Sequence, residues 1–247
     1  MTDSKQPSIL VAAPTSIHKD YCLKEWAEQY NNFTYPNKNI LVVDNSPNKT
    51  HLKVLNEHIN GKVVRLRKGK HLREIVCNCQ NYIRQYVLDN NYDYLLFAET
   101  DIFIDNNPDI IEHLVARSVA NNIPIVGIPY FTFHGEKTRY LAMHLEELHI
   151  GAAKSQIMRP DWAIHFHDGQ FKPAYQFGFG FVLIHRTVLE RIPFRINKED
   201  DGLNAYSDSY WHEDVFLSKT PAYLDTSFVA RHENSHWGDI YKKEKRG

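Results

Sequence analysis

Two acids close an apolar run. In "LLFAETDIFID", residues 95–105, Glu99 and Asp101 stand one residue apart between "YLLFA" and "IFI", and residues i and i+2 of a strand share a face. Unpaired carboxylates in so apolar a stretch are costly, which makes a bound cation their natural counter-charge. Hard oxygen ligands suit Mg²⁺ or Mn²⁺, ions that keep open positions for phosphate oxygens, so a metal here would sit on a diphosphate. An isolated E-x-D is more often a pair of solvated acids at a strand end. Two other predicted strands end in polar residues, Pro14-Thr15-Ser16 and Asp44-Asn45-Ser46. Asp44 could accept hydrogen bonds from a base or ribose, and Thr15 could hold the same nucleoside, although "DNSP" alone more often forms a turn.

Two clusters lie further along. "WHEDVFL" sets Glu213 beside Asp214; acids near a helix start are favoured by the macrodipole without any catalysis. "DWAIHFHDGQF" places His165 and His167 on one strand face with Asp168 adjacent, ligand-like spacing for Zn²⁺ or Fe²⁺ and the kernel of a metal-dependent hydrolase. The preferred reading is an aromatic-rich loop whose histidines hydrogen-bond a hydroxylated ligand, because nothing else in the sequence identifies a hydrolase.

The elements that must position these residues follow from the apolar pattern. "SILVAAP" is an unbroken apolar run, as a strand covered on both faces requires. "HKDYCLKEWAEQYNN" spaces Tyr21, Cys22, Trp26 and Tyr30 at helical intervals. Strands in "NILVVDNSPN", "KVVRLRKG", "YDYLLFAETDIFI" and "IPIVGIPYF", with a long helix in "HLREIVCNCQNYIRQYVLDN", complete an alternating order that predicts βαβ units around a parallel sheet. At 247 residues and 43% hydrophobic, the chain can bury one substantial core. Its 29 basic and 30 acidic residues give a net charge of -1, which excludes no partner by itself. Three cysteines without a C-x-x-C fit neither a disulfide framework nor a zinc finger and point to a reducing compartment, with Cys77 and Cys79 as core or interface thiols. No apolar run approaches a membrane span, so a soluble, cytoplasmic protein is expected.

This order of motifs resembles glycosyltransferases of the GT-A fold, above all the inverting, family-two-like enzymes, over roughly residues 8–237. The resemblance implies an α/β, Rossmann-like, mostly parallel sheet with helices on both faces. It implies one domain over residues 1–247, with a nucleotide-binding half at about 8–105 and an acceptor half at about 106–240. "VVDNSPN" looks like the family's nucleoside-binding second-strand end, and Asn78 sits like the Asn of its third-helix "RN" signature. Cys77 replaces the Arg there, and Arg73 one turn earlier takes its role. "ETD" resembles the metal-binding D-x-D, with Asp101 as the stronger ligand and Glu99 as a second ligand or a ribose contact. "FGFGFVLIHRTVLERI" resembles the glycine-containing strand that shapes the donor-sugar and acceptor site, giving Gly178 and Gly180 to the acceptor, to which the resemblance adds Trp211 of "WHEDVFL". "WHEDVFL" makes Asp214 the general base and Glu213 its neighbour. In "VARHENSHWG", His232 resembles the late His that completes the metal site, with His236 the lesser choice.

The expected donor contacts are therefore Pro14, Thr15, Asp44, Asn45, Arg73, Asn78, Glu99 and Thr100, and the expected ion is Mn²⁺ or Mg²⁺ on Asp101, His232 and Glu99. The implied activity is inverting transfer of a sugar from a nucleotide diphosphate, UDP in first place, to a hydroxyl. A non-catalytic sugar- or nucleotide-binding module is the alternative from another class. Lys62, Arg65, Arg67, Lys68, Lys70 and Arg73 fall within twelve positions, more positive charge than one metal-neutralised diphosphate requires. A solvated turn beside the diphosphate is the simpler explanation; a polyanionic acceptor is the other. DNA with hydroxymethylated pyrimidines, as in a phage-infected host, is one such acceptor, and an acidic glycan or phosphorylated lipid is another.

Overall fold

The computed structural model describes residues 6–134, 137–140, 142–144, 169–197 and 206–234. In chain order, β1 (Ile9–Thr15) leads through a 3₁₀ turn (Ile17–Cys22) into α1 (Leu23–Asn32). Then follow β2 (Lys38–Asp44), α2 (His51–His58), β3 (Lys62–Arg65), α3 (Leu72–Asp89), β4 (Tyr94–Ala98), β5 (Ile102–Phe103), α4 (Ile110–Asn121) and β6 (Ile125–Gly127). The second half adds β7 (Phe131–His134), β8 (Lys137–Tyr140), β9 (Ala142–His144), β10 (Phe171–Phe177), β11 (Phe181–His185), α5 (Arg186–Arg191), α6 (Ser207–Leu217), β12 (Ala222–Asp225) and β13 (Arg231–His232).

Among the described residues nine strands form one sheet in the order β3-β2-β1-β4-β11-β6-β12-β10-β9. β3, β2, β1 and β4 run parallel, β11 is antiparallel to both its neighbours, and β6 pairs with β12 in parallel. Strand alternation divides the core in two. Ile9, Val11 and Ala13 of β1 join Trp26, Tyr30 and Leu114 on one face, while Leu10 and Ala12 join Ile83, Val188 and Trp211 on the other. The chain winds outward from β1 to β3 and then crosses to β4, so the strand order reverses at β1 and β4. In open α/β sheets ligands bind beyond the carboxyl ends of the strands at that reversal, where "PTS", "DNS" and "ETD" all lie.

Three local expectations change. β4 ends at Ala98, and Ile102 N–H donates to Glu99 O at 3.0 Å, so Glu99 and Asp101 converge across a turn and not along one strand. Tyr21 and Cys22 belong to the 3₁₀ turn, with α1 starting at Leu23. The Glu213-Asp214 pair sits in the second half of α6, because Ser207 begins that helix. Two helices absent from the sequence reading, α2 and α4, fill the crossovers after β2 and β5.

Candidate active site

The carboxyl edge of β1, β2 and β4 is one connected polar layer. Thr15 stands opposite Asp44 in the parallel register. Asn45 N–H donates to Thr15 O at 2.8 Å, and the Thr15 and Thr100 hydroxyls lie 2.8 Å apart. The 3₁₀ turn is pinned across this edge: Ile17 N–H donates to Ser46 Oγ at 2.8 Å, and the Cys22 thiol donates to Thr100 O at 3.0 Å. One turn therefore touches the ends of both β2 and β4.

On the β2 side the turn contributes Asp20. Its carboxylate lies 3.0 Å from His51 Nε2, and His51 Nδ1 lies 3.2 Å from Asp44 Oδ1. Ser46 donates from its backbone N–H (2.9 Å) and its hydroxyl to the same Asp44 oxygen. Burial alone would raise the Asp44 carboxyl, but the hydrogen bonds from His51 and Ser46 outweigh it and hold Asp44 below its usual range. Burial would likewise lower the His51 imidazole, but the Asp44 hydrogen bond and the charges of Asp44 and Asp20 raise it. The other Asp44 oxygen, Oδ2, is fully buried and accepts no hydrogen bond from the described residues. Sequence reasoning singled out Asp44 and missed His51 and Asp20; α2, which carries His51, went unrecognised.

On the β4 side the same turn contributes Lys19. Its ammonium donates to Asp101 Oδ1 at 2.8 Å and to Glu99 Oε2 at 3.2 Å. Burial opposes ionisation of Asp101, yet the Lys19 charge and His232 overcome it and hold the carboxyl at about 2. Burial would lower Lys19, but Asp101 and Glu99 raise it above its ordinary value. β13 pairs with β5 and sets His232 opposite Ile102, bringing His232 Nε2 to 3.4 Å from Asp101 Oδ2. Of the expected trio, Asp101 is therefore reached by His232 and shares Lys19 with Glu99, and oxygen and nitrogen donors of these types have the right chemistry for Mn²⁺. As arranged, the trio does not fit an ion: Lys19 Nζ stands between the two carboxylates, and among the described residues no group of three or more His, Cys, Asp or Glu is disposed to hold a metal.

The α6 residues divide by face. Asp214 receives Arg195 Nε at 2.7 Å and Nη2 at 2.8 Å, and Glu213 receives Nη2 at 2.9 Å, so the expected base pair is tied to a neighbouring loop. Asp208, six residues before Asp214 and thus roughly 240° around the helix, is near enough to feel the Glu99 charge. Desolvation pushes its carboxyl up to about 6, and Glu99 adds to the effect. Trp211 is fully buried, stacked on Phe194 at 5.6 Å and donating to Ile192 O; it belongs to the core and not to an acceptor surface. The close approach that Gly178 and Gly180 permit is made by Tyr130. A Cβ on Gly178 would lie 1.8 Å from the Tyr130 hydroxyl, and one on Gly180 would lie 2.6 Å from Tyr130 Cε1. Tyr130 also packs edge-on against His232 at 5.3 Å. Asp208 and Tyr130 were missed because neither lies in a recognisable motif.

The remaining candidates brace the site. Arg65 donates to Ser46 O (3.1 Å) and Pro47 O (3.3 Å), and Arg67 donates to Asn45 O at 2.7 Å, so both guanidinium groups hold the loop after β2. Asn78 donates to Lys68 O at 2.7 Å from α3, whose first turn carries Arg73. Pro14 lies in β1 one residue before Thr15. All three cysteines are buried, and burial raises their thiols to about 12 (Cys22), 11 (Cys77) and 12 (Cys79), as expected of core thiols. His165, His167, Asp168 and His236 lie outside the described residues. A cavity of about 630 Å³ lined by Lys38, Asn39, Lys62 and Tyr86 opens at the amino ends of β2 and β3, on the opposite edge from this chemistry.

No protein-family model and no curated protein matches the sequence. Solved structures do resemble the fold. A mannosyltransferase, PcManGT from Pyrobaculum calidifontis, in complex with GDP-Man and Mn²⁺, superposes with a TM-score of 0.60 at 13% identity, over 93% of this chain and 58% of that one. TarS of S. aureus, residues 1–349 in complex with UDP, gives 0.55 at 12% identity over 94% and 63%; the longer TarS gives 0.54 at 13% over 93% and 37%. The fold is the GT-A-like fold of nucleotide-sugar transferases. This GT-A-like chain spans less than two thirds of each of those longer proteins. Its carboxyl-edge polar layer lies at the reversal in strand order between β1 and β4. No helix among the described residues is long and apolar enough to cross a membrane.

Proposed function

We propose that the chain is a glycosyltransferase that moves a sugar from a nucleoside diphosphate, UDP in first place, to an acceptor hydroxyl with inversion. The observation that carries this reading is Asp44 Oδ2, a fully buried carboxylate oxygen without a donor at the strand reversal. Leaving such a group unpaired costs about 1–3 kcal/mol or more, and a nucleoside's ring N–H or ribose hydroxyl would recover it. Thr15 and Asn45 flank Asp44, with Arg65 and Arg67 bracing the loop they share. The diphosphate then falls toward Glu99, Thr100 and Asp101.

Inversion needs one in-line displacement: the acceptor oxygen bonds to the anomeric carbon as the carbon–oxygen bond to the diphosphate breaks, and a base takes the hydroxyl proton. Asp208 suits that step better than Asp214. Its carboxyl is pushed up to about 6 by desolvation first, with the Glu99 charge adding to it, whereas Asp214 is committed to a two-bond ion pair with Arg195. Arg65 and Arg67 donate to carbonyls of the loop after β2, so they give no preference to a nucleic-acid acceptor such as hydroxymethylated DNA over glycans and phosphorylated lipids.

A thermal-shift screen of UDP- and GDP-sugars tests the reading, because a ligand that binds only the folded state raises its melting temperature. Stabilisation by one nucleotide class, abolished in Asp44→Asn, is the expected result; no shift with any of them overturns it. Sugar loss from the donor without an acceptor would favour the hydrolase on His165, His167 and Asp168. Binding without turnover would favour a binding module.

A further inference from the structure

The carboxylate pair already has a cation, and it belongs to the chain. Lys19 Nζ lies 2.8 Å from Asp101 Oδ1 and 3.2 Å from Glu99 Oε2, and its side chain is only 18% exposed. The backbone that carries it is fixed: Lys19 N–H donates to Ser16 O at 2.9 Å, Ile17 and Cys22 anchor the two ends of the turn, and the Tyr21 hydroxyl donates to Glu233 O at 2.5 Å. A divalent ion shared by Asp101 and Glu99 would stand about 2.0–2.6 Å from those same oxygens, in space the ammonium holds. The two cations exclude one another by volume and by charge.

Resting on the nucleoside-diphosphate reading above, the geometry points to Lys19 as the resident cation of the site. Its ammonium takes the place of the divalent ion between Glu99 and Asp101, offsets one of their two negative charges, and is the positive group that the diphosphate meets there without a metal. This departs from the Mn²⁺ or Mg²⁺ site expected from the sequence, and the reason is physical. "ETD" was recognised as a carboxylate pair in need of a counter-charge, while Lys19 is 80 residues away in sequence and reaches the pair only through the turn after β1.

The test has a metal arm and a nucleotide arm, both read by binding. In the metal arm, Mn²⁺ alone is titrated into the intact protein by electron paramagnetic resonance. The wild type is expected to take up no Mn²⁺ at this site, Lys19→Met to gain uptake, and Lys19→Met with Asp101→Asn to lose it again. In the nucleotide arm, UDP and GDP are titrated by calorimetry with EDTA or with Mn²⁺. Wild-type affinity should be the same in both, while Lys19→Met should bind at least about tenfold more weakly in EDTA and be rescued by Mn²⁺. Tight Mn²⁺ uptake by the wild type that Asp101→Asn removes, or nucleotide binding by the wild type that requires Mn²⁺, overturns the proposal. Should Lys19→Met fail to fold, those two wild-type measurements still decide the matter. If neither nucleotide binds under any condition, the functional reading fails while the metal arm still judges Lys19.

Discussion

Replacing Asp208 with Asn should make the protein more stable and less active at once. Desolvation and the nearby Glu99 hold the Asp208 carboxyl at about 6 against an ordinary 3.8, so ionising it in the folded state is unfavourable. The folded value lies above the unfolded one. Its contribution to stability is therefore fully present below about pH 3.8 and is lost as pH rises through about 6, by at most about 3 kcal/mol. Asn is neutral at every pH, and its side-chain oxygen can keep the 2.9 Å hydrogen bond from Ser209 N–H. Urea unfolding of the two proteins should thus give equal stabilities near pH 4 and a gap that opens to roughly 1–3 kcal/mol in favour of Asn near pH 7. Turnover of the donor sugar should fall by about a hundredfold or more with nucleotide affinity unchanged, and the rising limb of the wild-type rate near pH 6 should vanish. Asp214→Asn is the internal control. It removes an ion pair whose partners are 29% and 38% exposed, worth about 0.2–1 kcal/mol, and leaves turnover intact. A stability gap that does not depend on pH, or an Asp214→Asn enzyme that loses turnover while Asp208→Asn keeps it, refutes the assignment.

Three more outcomes follow from other contacts. Gly178→Ala places a Cβ 1.8 Å from the Tyr130 hydroxyl and 2.6 Å from Cζ, so chemical denaturation should register a loss at or beyond the upper end of about 1–3 kcal/mol, partly recovered by adding Tyr130→Phe. His51 is raised by Asp44 and Asp20; the stability it contributes is full below about pH 6.5 and lost as pH rises through its folded value. Thermal melts of the wild type and His51→Gln should therefore converge with rising pH, and a difference constant from pH 5 to about 9 would mean that His51 is not charged in the fold. Arg65→Ala with Arg67→Ala should weaken nucleotide binding by loosening the loop after β2. It should leave the salt dependence of any DNA binding unaltered, whereas two lost phosphate contacts would flatten the slope by about 1.8.

The sheet was legible because strands covered on both faces leave unbroken apolar runs, and "SILVAAP", "NILVV" and "YLLFA" are three of them. The long α3 declared itself by its apolar spacing. α2 did not, since "HLKVLNEH" is short and carries few apolar residues; with it went His51. Strand ends such as Thr15, Asp44 and Asp101 could be found because polar residues directly after apolar runs stand out. Residues that arrive by tertiary packing leave no such mark: Lys19, Asp20, Tyr130 and Asp208 are ordinary in their own segments. Motif order also misled locally. "WHEDVFL" was read at a helix start, but α6 begins at Ser207, and that extra length pairs Asp214 with Arg195 and leaves Asp208 on another face, where it feels the Glu99 charge.

The short segment "IHKDYC" links the two halves of the site. Successive residues of a 3₁₀ helix point about 120° apart, so Lys19 and Asp20 aim in different directions from one backbone. Lys19 meets the negative pair Glu99–Asp101, and Asp20 meets His51 beside Asp44. The Lys19 partners follow β4, and the Asp20 partner, His51, opens α2 and reaches Asp44 at the end of β2, which makes the turn a clamp between β2 and β4 as well as a source of both side chains. Nucleoside recognition at Asp44 and charge balance at Asp101 are thereby mechanically joined. Disturbing either ion pair shifts the backbone that carries the other, so Asp20→Asn and Lys19→Met should be non-additive in nucleotide affinity. Additive losses in a double-mutant cycle would mean that the two ends of the turn act independently.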